Sequence, residues 1–170
     1  YRATCSATDT YACGQAGRVL SEGLSGAVDR AAARPLLEKA CAGQNETGCA
    51  YLGDHYRLGV GVNPDGARAK ALYEEACENA SGYGCFQFGE AHRPGRGVEQ
   101  DLARAATLYE KACDLYNYDA CIQWGQALRQ GRGTKKDLVR AQDAFERVCD
   151  YAVKPRQWKT CCAAAKSLPE

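Results

Sequence analysis

The chain has 170 residues, and its 22 lysines and arginines nearly balance 21 aspartates and glutamates, so it is long enough for one ordinary domain and too evenly charged to draw in nucleic acid. No stretch approaches the roughly 20 consecutive apolar residues that cross a bilayer as a helix, so no transmembrane segment is expected. Eleven cysteines are far more than a reducing cytosol keeps as free thiols, which predicts either disulfides outside the cytoplasm or bound metal.

The chain opens Tyr1-Arg2-Ala3-Thr4-Cys5, with no initiator methionine and no charged-then-apolar leader. The expectation is that a leader, an anchor or earlier repeats precede it. From there the cysteines run Cys5, Cys13, Cys41, Cys49, Cys77, Cys85, Cys113, Cys121 and Cys149, with gaps that alternate between 8 and 28 residues before the pattern slips at Cys161 and Cys162. The period is therefore 36, and a period between about 20 and 50 residues marks a solenoid, propeller or array. Repeats are expected at about 13–48, 49–84, 85–120 and 121–156, with 1–12 and 157–170 as partial or capping helices of one solenoid. The register aligns Gly17, Gly53, Gly89 and Gly125 in one column, and Tyr1, Tyr73 and Tyr109 in another with Leu37 and Phe145.

Each unit reads as two helices. The first begins near its cysteine: Cys49, Leu52, Gly53 and Tyr56 lie at the i, i+3, i+4, i+7 spacing of one helical face, as do Cys85, Phe88, Gly89 and His92, and Cys121, Trp124, Gly125 and Leu128. A mid-helix glycine costs about 1 kcal/mol relative to alanine, so its recurrence implies close approach of another helix. Gly59, Gly95 and Gly131 then end the first helix, and Asp29, Asp65, Asp101 and Asp137 cap the second. The Gly-x-Gly in these connections follows a helix and lacks the other elements of a phosphate loop, so it reads as a turn. The second helix runs to Cys41, Cys77, Cys113 and Cys149 with alanines and an aromatic or leucine as its apolar stripe.

One cysteine of each close pair ends a second helix and the other begins the next first helix. Zinc sites use Cys-x2-4-Cys hooks or added histidines, which this chain lacks. Disulfides Cys5–Cys13, Cys41–Cys49, Cys77–Cys85 and Cys113–Cys121 are expected, with Cys149–Cys161 across a longer loop, Cys162 unpaired in the terminal cap, and no metal or cofactor. Asn45-Glu46-Thr47 and Asn79-Ala80-Ser81 form glycosylation sequons that matter only in a eukaryotic host. Tyr116, Tyr118 and Trp158 are expected to pack over the neighbouring disulfides.

The unit from Cys49-Ala50-Tyr51-Leu52-Gly53 to Tyr73-Glu74-Glu75-Ala76-Cys77 resembles the Sel1-like repeat family, in the cysteine-paired form similar to the Helicobacter cysteine-rich proteins. The resemblance covers Cys5 to Cys149 and weakens between Cys13 and Cys41, where Leu24-Ser25-Gly26 replaces the usual loop and Pro35 departs from the second-helix pattern. It implies an all-α fold, a right-handed α-solenoid of tetratricopeptide-like helix pairs whose first helices line a concave face. It also implies an adaptor or scaffold role in the bacterial periplasm or outside the cell. Some relatives are associated with β-lactam binding or weak hydrolysis, and others resemble immunity proteins that neutralise secreted toxins.

A solenoid varies its outward positions while keeping its core columns. The candidate contacts for a protein or peptide partner are accordingly the variable first-helix positions Tyr51, Gln87 and Gln123; Asp54, Glu90 and Gln126; His55; and Arg57, Arg93 and Arg129. The arginine column either pairs with carboxylates of an acidic partner or forms a solvated edge. An enzyme is not expected, because Ser-x-x-Lys, Gly-x-Ser-x-Gly and His-Glu-x-x-His are absent. The only histidines are His55, which reads as surface, and His92, which stands in the core column of Tyr56.

Overall fold

The computed structural model describes residues 5, 9–24, 26–93 and 100–151. Among these are eight helices and no strand: α1 Thr10–Glu22, α2 Arg30–Ala42, α3 Glu46–Leu58, α4 Gly66–Glu78, α5 Gly82–Ala91, α6 Leu102–Asp114, α7 Tyr118–Gln130 and α8 Leu138–Tyr151. Successive helices pack as hairpins α1/α2, α3/α4, α5/α6 and α7/α8, and each second helix also packs on the next first helix. Among the first helices, α1 packs on α3 and α3 on α5.

The helix boundaries follow from their caps. Asp29, Asp65, Asp101 and Asp137 accept from the backbone N–H three residues on, as N-cap carboxylates do. Gly59 and Gly131 end α3 and α7 in the left-handed region at φ 69°, where a side chain would be strained. Gly95 and Gly97 lie outside the described residues. Pro35 departs from the repeat pattern without breaking α2. The carbonyl that loses its i+4 donor belongs to the exposed Ala31, so the loss is not a buried one.

The first helices start a turn earlier than their cysteines. Asp9, Asn45, Ser81 and Asn117 form an N-cap column, accepting from the N–H groups of Ala12, Gly48, Gly84 and Ala120. Three of these residues also finish the helix before them: the N–H of Asn45, Ser81 and Asn117 donates to Ala40, Ala76 and Ala112 respectively, closing a Schellman turn. The intervening residues Gln44, Ala80 and Tyr116 are left-handed at φ 59°, 63° and 62°. One residue thus terminates one helix and starts the next, which makes the turn very short. Asn45 is consequently buried with its side-chain oxygen bonded, so its sequon is not presented as a glycan acceptor. Tyr116, 78 % exposed, points away from the disulfide it was expected to cover.

That turn brings the paired cysteines together. Cys5–Cys13, Cys41–Cys49, Cys77–Cys85 and Cys113–Cys121 are disulfides with Cα–Cα separations of 4.6, 4.5, 4.4 and 4.6 Å. Cys149 is also disulfide-bonded; its expected partner Cys161, together with Cys162 and Trp158, lies outside the described residues. Glu75 sits beside the sulfurs of Cys41 and Cys49, but the S–S bond between them leaves no thiolate for a metal.

Closing a loop of this size lowers the entropy of the unfolded chain by an amount worth roughly 2.5 kcal/mol. Replacing Cys77 and Cys85 together by alanine is therefore expected to cost about 2–3 kcal/mol, read as a lower urea midpoint with helicity retained in the native baseline.

Candidate binding site

The glycine column creates a slot. A Cβ built on Gly53 would lie 2.6 Å from the Tyr73 ring, on Gly89 2.8 Å from Tyr109, on Gly125 2.7 Å from Phe145, and on Gly17 2.4 Å from Leu37. Each second helix therefore presses its large side chain across the glycine of its own first helix. The tyrosine hydroxyls emerge beside the residue that follows the glycine. Tyr73 donates to Asp54 Oδ1 at 2.8 Å and Tyr109 donates to Glu90 Oε1 at 2.6 Å.

Arginines complete both clusters. Arg57 donates through Nη2 at 2.8 Å and Nε at 3.2 Å to Asp54 Oδ1, and through Nε to the Tyr73 hydroxyl at 3.1 Å. Arg93 donates through Nη1 to Glu90 at 2.8 Å. Tyr83 adds a fourth group to the first cluster, donating to Asp54 Oδ2 at 2.5 Å while accepting from Gln87 Nε2 at 2.8 Å. Burial, and then the adjoining Asp54 carboxylate, push the phenols of Tyr73 and Tyr83 well above the ordinary tyrosine range. For Arg57 burial alone would lower the pKa; the bonds to Asp54 and Tyr73 outweigh it and raise it, so the guanidinium is charged at all ordinary pH.

The expected contact residues therefore divide. Asp54 and Glu90 are each only 8 % exposed and hold the fold from within. Tyr51 stacks on Tyr83 with ring centroids 5.2 Å apart, and its hydroxyl donates to Glu22. Gln126 stands where Asp54 and Glu90 stand in the preceding repeats, opposite Phe145, which has no hydroxyl to offer an acid. Arg129 accordingly has no carboxylate partner among the described residues.

His55 differs from its surface expectation: it is 2 % exposed, with Nε2 3.2 Å from Ser21 Oγ and Nδ1 unbonded. It comes from α3, but α1 packs directly on that face and covers it. His92 is 4 % exposed, meets Phe88 edge-on at 5.1 Å, and has neither ring nitrogen bonded. Burial lowers the pKa of both rings. For His92, Lys70 and Arg104 lower it further, against Asp101 and Glu74; for His55, Asp54 and Glu38 oppose Arg30 and Arg34.

Two clefts open between neighbouring repeats. One, of about 300 Å³, lies between α4 and α5; the other, of about 440 Å³, lies between α6 and α7. They are the same feature one period apart. Arg57 corresponds to Arg93, Ala69 to Ala105 and Tyr73 to Tyr109 on one wall; Gln87 corresponds to Gln123 and Ala91 to Ala127 on the other. Of the expected contact residues, Arg57 and Gln87 line the smaller cleft, and Arg93, Gln123 and Gln126 the larger. The structure thus brings five of them to one repeating groove and turns Asp54, His55 and Glu90 inward.

A family model described as the Sel1 repeat matches residues 10–45, 47–81, 82–117 and 119–143. Among solved structures, c5321, a protective antigen of uropathogenic Escherichia coli displaying an SLR fold, is 25% identical with a TM-score of 0.72, over 83% of this chain and 30% of that one. A Sel1 repeat protein from Oxalobacter formigenes is 22% identical with a TM-score of 0.69, over 84% of this chain and 58% of that one. Cysteine-rich protein B of Helicobacter pylori is 25% identical with a TM-score of 0.58, over 86% and 95%. The chain thus spans less than two thirds of the first two relatives. No curated protein matches the chain.

Two outcomes follow from the buried clusters. Tyr73→Phe keeps the ring in its glycine slot and removes both the bond to Asp54 and the one received from Arg57, so it is expected to cost about 1.5–3 kcal/mol; a double-mutant cycle with Asp54→Asn should show strong coupling in urea unfolding. Because the folded pKa of His92 lies below the ordinary value of about 6.5, the stability that the neutral ring contributes is complete above that pH and is lost as the pH falls below it. The urea midpoint should drop between neutral pH and mildly acidic pH, and drop less in His92→Leu, which carries the residue found at Leu128.

Proposed function

Since the chain belongs to the Sel1 repeat family, a fold used generally as a non-enzymatic scaffold for protein interactions, we propose that it is an extracytoplasmic scaffold holding a protein or peptide along its inner groove. The observation that carries this reading is the recurrence of one cleft at the repeat period, with equivalent residues on both walls. A groove that repeats with the backbone matches a ligand that also repeats along a chain, as an extended polypeptide does.

The disulfides support the extracytoplasmic address, because such bonds persist in oxidising compartments. The likeness to the Helicobacter cysteine-rich protein points the same way. Binding is favoured over catalysis because both histidines are enclosed in the stack, where neither presents a base to a molecule in the clefts.

The test is site-specific photocrosslinking in the native organism. A benzophenone side chain at Gln87 or Gln123, each in a cleft, is expected to capture the same partner, and one at Thr107, on the exposed back of α6, to capture none. Capture from Thr107 alone would move the interaction to the outer face.

A further inference from the structure

Resting on the inner-groove reading, we infer that the ligand is an acidic extended peptide segment that places one carboxylate in each cleft. The whole chain carries acids and bases almost equally, yet among the described residues no aspartate or glutamate lines either cleft. Cations do: Arg57 and Lys70 in the smaller, Arg93 and Arg132 in the larger. The acids paired with the two arginines, Asp54 and Glu90, are buried and hydrogen-bonded to Tyr73 and Tyr109.

The arginines are also held in place for a ligand. Asp54 and Tyr73 bind Arg57 through Nε and Nη2, which leaves Nη1. Glu90 holds Arg93 through Nη1. A guanidinium oriented in this way loses less rotamer freedom when a carboxylate arrives. Lys70 and Arg132 form no ion pair among the described residues, so an incoming carboxylate does not compete with an internal one.

The remaining polar lining favours a peptide over a phosphate polymer. Gln87 in the smaller cleft and Gln100, Gln123, Gln126 and Gln130 in the larger carry a donor and an acceptor on one planar group. That set matches a peptide unit, whereas phosphate oxygens only accept.

The groove is bounded at the first repeat. There Ser21 replaces the arginine, Tyr51 replaces the glutamine and the buried His55 replaces the alanine; His55 reaches Ser21, and Tyr51 is tied to Glu22. Among the described residues the footprint is therefore two clefts. Packed helices such as α3 and α5 lie about 8–10 Å apart and an extended chain covers roughly 3.3 Å per residue, so the two acids stand about three residues apart.

Fluorescence anisotropy with the purified full chain tests this, using a labelled serine peptide with two glutamates at that spacing, its glutamine counterpart, and labelled oligothymidylate. The glutamate peptide is expected to bind on the order of tenfold or more tightly than the glutamine peptide, with affinity falling as salt rises. Lys70→Glu and Arg132→Glu should each weaken it by on the order of tenfold, with helicity unchanged, and Lys70→Arg should not. Equal binding of the two peptides, binding of neither, preference for oligothymidylate, or indifference to both charge reversals would overturn the inference. If the glutamate peptide fails while Gln87 and Gln123 still crosslink a partner, the acidic class falls and the inner-groove reading stands.

Discussion

The contact of a glycine in each first helix with the ring or leucine of its own second helix sets the spacing inside every hairpin. At Gly53, Gly89 and Gly125 a Cβ would lie within 2.8 Å of the neighbouring ring, closer than real atoms approach, so any side chain there would force the helices apart and open voids that interiors do not tolerate. The same approach decides what stands next to the slot. A tyrosine ring that crosses the glycine delivers its hydroxyl to the following residue, which is an acid where the ring is Tyr73 or Tyr109. Where the crossing residue is Leu37 or Phe145, the following residue is Arg18 or Gln126. A buried carboxylate is retained only where a donor satisfies it.

Register between hairpins comes from the turn in which one residue closes a Schellman motif and caps the next helix. Its brevity places the paired cysteines within disulfide reach, and the bond then restrains a geometry that the caps already define. Longer-range contacts repeat on the second helices: Arg104 pairs with Glu74 and Arg140 with Glu110, while Lys111 donates to the carbonyl of Cys77 at 3.0 Å. The exposed pairs contribute little individually. The arginines do more by packing, since Arg104 lies over Phe88 and Arg140 over Trp124.

Because every interface inherits the same turn and slot, a cleft formed at one recurs at the next, and its differences are side-chain differences on a constant frame. His55 and Tyr51 occupy the first interface, Lys70 charges the second, and glutamines dominate the third. A solenoid specialises in this way, by substitution at a few variable positions over a conserved core.

Much of this was legible in the sequence. The cysteine spacing, the glycine and aspartate columns and the helical periodicity specify the hairpins, the caps of the second helices and four disulfides, because each is a local property repeated often enough to stand out. The sequence also shows that the glycines must be approached closely, and the alignment of Tyr73 and Tyr109 with Leu37 and Phe145 contains the identity of what approaches. Only the tertiary structure decides that these two columns meet, that Asp54 and Glu90 turn inward, that His55 is covered by α1, and that Arg57 and Gln87 face one cleft. A period states which residues are equivalent to one another. It does not state which face of a helix 19 to 34 residues away each of them will meet, and burial, charge pairing and cleft formation all depend on that packing.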